Sequence, residues 1–154
     1  MNYKLNISYK GTAYSGFAKQ KNNITIQGII EEKIKELFNV DVILFASGRT
    51  DKYVHAIQQT INIKHKLLNY EPDVIKNALN SKLPKDITIN QCEIIDDNFH
   101  ARFNSKNKTY LYKLNLDLEQ EKNIAYYGEL LAGSKCGRLD QVGEFSVGVK
   151  KVEF

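Results

Sequence analysis

Tryptophan is absent from this sequence, and methionine, proline and cysteine are scarce: one, two and two in 154 residues. Cys92 and Cys136 stand far apart and match no CxxC spacing, so they read as free thiols rather than as a disulfide or zinc framework. His55, His65 and His100 show no metal-ligand spacing, and neither a metal nor another cofactor is expected. No repeat or low-complexity tract divides the chain. No apolar run approaches the roughly 20 residues that a membrane-crossing helix needs. The first residues, Met1-Asn2-Tyr3-Lys4-Leu5, open directly on strand-like alternation, an expectation of no leader or anchor and of a cytoplasmic protein. Arginine is also rare among the 22 basic residues, standing only at Arg49, Arg102 and Arg138. Where an arginine sits therefore says more than how many there are.

What is present bounds the class. Hydrophobic residues make up 42% and charged residues 26%, enough for a buried core in one domain plus a short extension. The net charge of +4 suits a polyanionic partner, but only mildly. A chain rich in lysine, asparagine and isoleucine also follows from A+T-rich coding.

Tyr3, Leu5, Ile7 and Tyr9 alternate with polar residues, the period of a half-buried strand. A glycine-punctuated loop runs from Lys10 to Asn23. Thr25 is placed to cap a helix whose apolar positions Ile26, Ile29, Ile30, Ile34, Leu37 and Phe38 recur at helical spacing. Val40 to Ala46 reads as a buried strand, and a second strand is predicted from about Val54 to His65, with Ile57, Gln59, Ile61 and Ile63 on one face. Pro72 opens a second helix with Val74, Ile75, Ala78 and Leu79 as its stripe. Strands follow over Ile87 to Ile95 and Thr109 to Leu116. The order β-α-β-β-α-β-β predicts an α+β fold of the βαββαβ, split βαβ type, with a largely antiparallel sheet and helices on one face. The other face is left open, where an aromatic such as Tyr110 is able to stack RNA bases. The plainer account of Tyr110 and Tyr112 is cross-strand packing. Residues 117–154 are too few and too weakly patterned for an independent domain and are assigned as an extension.

Residues 47–56 read Ser-Gly-Arg-Thr-Asp-Lys-Tyr-Val-His-Ala. They raise one carboxylate, Asp51, on a turn between two strand-like runs, with Arg49 two residues before it and His55 four after. A carboxylate held beside a fixed cation can serve as nucleophile or general base. Equally, an aspartate in such a place can do no more than hydrogen-bond its own turn.

Together with its neighbours, this loop resembles that of the tRNA pseudouridine synthases of the TruA family. The resemblance is carried in order by Ile7-Ser8-Tyr9-Lys10-Gly11-Thr12-Ala13-Tyr14-Ser15-Gly16-Phe17-Ala18-Lys19-Gln20 and by Thr25-Ile26-Gln27-Gly28. Gly48-Arg49-Thr50-Asp51 with Val54-His55-Ala56 follows, then Leu79-Asn80-Ser81-Lys82-Leu83-Pro84-Lys85-Asp86-Ile87. Phe99-His100-Ala101-Arg102-Phe103 and Lys108-Thr109-Tyr110-Leu111-Tyr112 complete it, so that residues 1–116 are read as a catalytic-aspartate domain. The resemblance implies isomerisation of uridine to pseudouridine in the anticodon stem-loop of tRNA, with tRNA as partner, no cofactor, no membrane and a homodimer as the assembly. It implies Asp51 as the catalytic carboxylate, Tyr110 as the ring against the uracil and Arg49 as the cation holding the flipped nucleotide. Arg102 and His55 are secondary candidates, each equally able to brace the loop or to pair locally. The other reading is a remnant that binds RNA without turnover.

Three departures stand out. Lys10 replaces an acidic residue, Phe17-Ala18 replaces Trp-Gln, and Lys52-Tyr53 replaces a small residue and glycine. Tyr53 is tolerable there if the backbone does not need a positive φ. Family members also carry a second domain facing the first across the active-site cleft, which residues 117–154 do not resemble.

Overall fold

The computed structural model describes residues 1–114 and 148–153, with side chains through Leu111. These fall into two compact units, Met1–Ser105 and Lys106–Phe154. In the first unit the strands β1 (Asn2–Tyr9), β2 (Leu44–Ala46), β3 (Ala56–Lys64) and β4 (Ile87–Ile95) alternate with the helices α1 (Ile26–Phe38) and α2 (Pro72–Lys82). The sheet order is β2-β3-β1-β4 and every pairing is antiparallel. β1 and β2 therefore flank β3, and β3 and β4 flank β1, which is the split βαβ arrangement expected.

The alternation of β1 sends Tyr3, Leu5, Ile7 and Tyr9 into the core and leaves Lys4, Asn6 and Ser8 half-buried on the opposite face. Helix α1 begins where its cap dictates, with the Thr25 hydroxyl accepting the Gly28 N–H at 3.2 Å. Its buried residues Ile26, Ile30 and Ile34 form one stripe, and Asn39 ends it in the left-handed conformation at φ 53°. Pro72 occupies the first turn of α2, which buries Ile75 and Leu79 but leaves Val74 exposed, so its stripe is narrower than predicted. Sheet and helix residues close over one core.

Two strands differ from expectation for local reasons. The run 40–46 buries Val40, Val42 and Leu44 in alternation, yet pairs with β3 only through Leu44, Phe45 and Ala46. It is thus a short edge, a form that limits unwanted pairing. In β3 the register breaks opposite the end of β1: Ile7 faces Gln59 but Tyr9 faces Ala56. This bulge turns Ile57 outward, 74% exposed, while Gln59, Ile61 and Ile63 stay buried.

Clasps hold the ends together. The Asn80 side chain donates to the carbonyl of Ile89 at 2.9 Å and accepts its N–H at 2.8 Å, joining α2 to β4. Tyr14 donates its hydroxyl to Asp86 at 2.5 Å, and the Lys10 N–H reaches the Asp86 carbonyl at 2.9 Å. On the polar face, buried Asn2 and Asn62 are linked at 2.9 Å, and Asn2 donates to the carbonyls of Asp96 and Phe99. Rings of Phe45, His100 and Phe103 stack beside them at 4.4 Å between neighbours.

In the second unit, β5 (Thr109–Leu114) pairs antiparallel with β6 (Gly148–Glu153). Tyr110 therefore stands on this two-stranded sheet rather than on the four-stranded one, opposite Val152. Residues 115 and 116 of the predicted strand, Cys136 and Arg138 lie outside the described residues. Among the described residues, no helix is long and apolar enough to cross a membrane.

Candidate active site

Residues 47–55 join β2 to β3 and carry the Asp51 turn. The first bond continues the ladder, with the Ser47 N–H on the Thr60 carbonyl at 2.9 Å. Gln59, buried on β3, donates its side-chain N–H to the carbonyl of Gly48 at 2.8 Å. The carbonyl of Thr50 accepts the Phe17 N–H at 2.9 Å, and its hydroxyl meets that of Tyr9 at 2.7 Å. The Val54 N–H closes on the Asp51 carbonyl at 3.2 Å. Beyond it, His55 accepts the Gly11 N–H on Nδ1 at 3.2 Å.

Two glycines make this docking possible. A Cβ on Gly11 would lie 2.0 Å from the Val54 carbonyl oxygen, inside any permitted contact. Gly16, at φ +92°, brings its backbone to where a Cβ would stand 3.0 Å from the Thr50 carbonyl oxygen. The loop is thus clamped between the 11–17 segment and the ends of β1 and β3.

The exposure of residues 48–51 alternates: Gly48 and Thr50 are half-buried, Arg49 and Asp51 exposed. Among the described residues neither the Asp51 carboxylate nor the Arg49 guanidinium has a hydrogen-bond or salt-bridge partner. Asp51 closes its turn through its carbonyl, so its carboxylate is not engaged in bracing the turn. Behind the loop, burial pushes the Tyr9 hydroxyl pKa up, against the lowering effect of Thr50. Burial and then the Asp86 carboxylate push that of Tyr14 up further. Both tyrosines keep their protons at neutral pH.

The other sequence candidates fall in different places. His55 is engaged through Nδ1 in holding Gly11. Arg102 follows Ala101, whose N–H is held by Asn62, and its guanidinium lies 6.0 Å from the Phe103 ring centre. That segment is tied to Asn2 at one end of β1, whereas the Asp51 loop is tied to Tyr9 at the other, about 23 Å away at the usual strand rise. Tyr110 is exposed on β5 in the second unit. Tyr9, Gln59, Phe17, Gly11 and Gly16 were missed as site residues. The available signal was Gln59, one amide in a line of isoleucines on a buried face.

Tyr53 is a correction. It stands at φ 70°, so the position does need the left-handed conformation, and a tyrosine occupies it where the resembled family has glycine. Its ring lies 4.7 Å from the Lys52 ammonium. By contrast Phe17 is fully accommodated, buried with its ring centre 6.0 Å from that of Tyr9.

A family described as tRNA pseudouridine synthase matches residues 6–104. The chain belongs to this family. The matched span contains Arg49, Asp51, His55 and Arg102 and ends before Tyr110. Among relatives bearing the name tRNA pseudouridine synthase A, that of Malacoplasma penetrans is 44% identical over 141 residues, covering 88% of this chain and 58% of its own. That of Ureaplasma parvum is 43% identical over 116 residues, 75% of this chain and 48% of its own. That of Dictyoglomus thermophilum is 42% identical over 125 residues, 80% and 50%. The chain spans about half the length of these relatives. The family's motifs acquire physical roles in this fold: Thr25 caps α1, Asn80 and Asp86 clasp β4 to its neighbours, and the Gly48–Asp51 stretch is the clamped loop.

Proposed function

We propose that this chain is the aspartate-bearing half of an enzyme that isomerises uridine to pseudouridine in the anticodon stem-loop of tRNA. The observation that carries this is the Asp51 carboxylate: exposed, without a partner among the described residues, on a backbone held at both flanks, in a member of this family. The reaction breaks the bond from N1 to C1′, turns the uracil and joins C5 to C1′, and C5 then loses its proton while N1 gains one. Atoms and electrons balance within the nucleotide and solvent, so no redox partner enters. Asp51 acts on the sugar, by attack at C1′ or removal of the 2′ proton. Arg49, two residues away, is assigned to the phosphate or sugar of the flipped nucleotide, and Tyr110 to stacking on the uracil, whose extrusion costs a few kcal/mol. His55 and Arg102 are assigned supporting roles.

A second reading, RNA binding without turnover, draws on the same exposure of Asp51. A solvated carboxylate lacks the preorganised, water-poor surroundings that make such groups effective. Incubating the chain with unmodified tRNA and analysing the nucleosides separates the two. Pseudouridine that disappears in Asp51→Ala supports the enzyme. Salt-dependent binding without product supports the second reading.

A further inference from the structure

The polar atoms behind the Asp51 loop form a chain whose direction follows from counting donors. The Gly48 carbonyl can only accept, so Gln59 presents Nε2 to it and must turn Oε1 to Tyr9, which lies 2.8 Å away. Tyr9 has one hydroxyl proton, and Gln59 Oε1 takes it. The 2.7 Å contact between Tyr9 and Thr50 is then donated by Thr50. The order is Thr50 to Tyr9 to Gln59 to Gly48, beginning and ending on the same loop two residues apart.

We propose that this relay is the positioning device of the Asp51 carboxylate. It fastens residues 48 and 50 to the sheet and so turns residues 49 and 51 outward. The proposal rests on the reading of Asp51 as the reacting group. Three features support it. Tyr9 and Gln59 are both buried, where successive hydrogen bonds polarise one another. No buried side-chain polar atom among the described residues lacks a partner, so each relay member is satisfied by the next. The register break between β1 and β3 falls between Ile7 and Tyr9, where Ile57 turns out and the side chain of Gln59, whose backbone is paired with Ile7, meets the Tyr9 hydroxyl at 2.8 Å. Tyr9 and Gln59 touch no substrate in this account and act only through the loop.

The test uses Tyr9→Phe and Thr50→Val, which delete one hydroxyl each, and Thr50→Ser, which keeps it. Amide exchange is followed at Phe17 and Val54, whose acceptors are the carbonyls of Thr50 and Asp51. Both amides should exchange about tenfold faster in the first two variants, with the β1 amides unchanged and Thr50→Ser like the parent. Exchange needs no turnover, and the Thr50 pair decides the question even if Tyr9→Phe unfolds. Loop amides that keep their parent rates in Thr50→Val overturn the proposal. Turnover on unmodified tRNA adds a second reading: kcat should fall about tenfold with KM unchanged. A loosened loop with parental kcat also overturns it. If Asp51→Ala itself keeps activity, the assignment of Asp51 fails instead, and the exchange data remain to show what the relay holds.

Discussion

Backbone conformation at single residues sets how firmly the Asp51 loop is held. Tyr53, at φ 70°, occupies a region that costs an L-residue roughly 1–2 kcal/mol, while glycine would add roughly 0.5–1 kcal/mol of unfolded-chain entropy. Tyr53→Gly should therefore stabilise the chain by about 0.5–1 kcal/mol, seen as a higher urea midpoint at unchanged slope. A lower midpoint would mean that the Lys52–Tyr53 ring contact outweighs the strain. Gly11 and Gly48 make a controlled pair. Gly11→Ala drives a methyl into the Val54 carbonyl and should cost about 1–3 kcal/mol. Gly48→Ala meets nothing within 4 Å and should change stability by less than about 0.5 kcal/mol. Equal losses at both would refute the close docking of the 11–17 segment on the loop.

At the scale of elements, β4 carries a half-buried titratable group. The Cys92 thiol is pushed up to about 12, first by burial and then by the charges of Asp73 and Glu93. Because the folded thiol holds its proton more tightly, its contribution to stability is full below about pH 9.0 and is lost as pH rises toward 12. Alkylation at pH 9, located by peptide mass, should be slow at Cys92 in the folded chain and fast after urea. Equal rates would contradict the burial. The elements also show what was legible in the sequence. Thr25 with its isoleucine spacing marked the start of α1, and Pro72 marked that of α2. Strand periodicity failed where the backbone broke it: one bulge reversed Ile57, and the run from Val40 buried its valines without pairing. The candidate loop was legible in the sequence, because Asp51 and Arg49, the residues proposed for the site, sit in a motif. Tyr9 shows in the sequence as a core residue within a motif and Gln59 only as a member of a buried face, because a hydrogen bond between strands leaves no local pattern. Tyr110 was placed on the main sheet, whereas β5 pairs with β6.

The whole molecule carries a clamped loop in a chain that spans about half the length of the relatives it matches. Within the four-stranded unit the loop has its own anchors: among the described residues, the hydrogen bonds to residues 47–55 come from Met1–Ser105. What that unit shows is a hydrogen-bonded backbone under an exposed carboxylate. Joining C5 to C1′ must release the C5 proton, so isotope release reads the completed isomerisation, which the proposed role of Asp51 on the sugar must precede. Unmodified tRNA carrying tritium at C5 of uridine, incubated with the full chain, should lose tritium to water. Asp51→Ala should abolish that release while leaving amide exchange at Phe17 unchanged. Release that persists in Asp51→Ala would contradict the account.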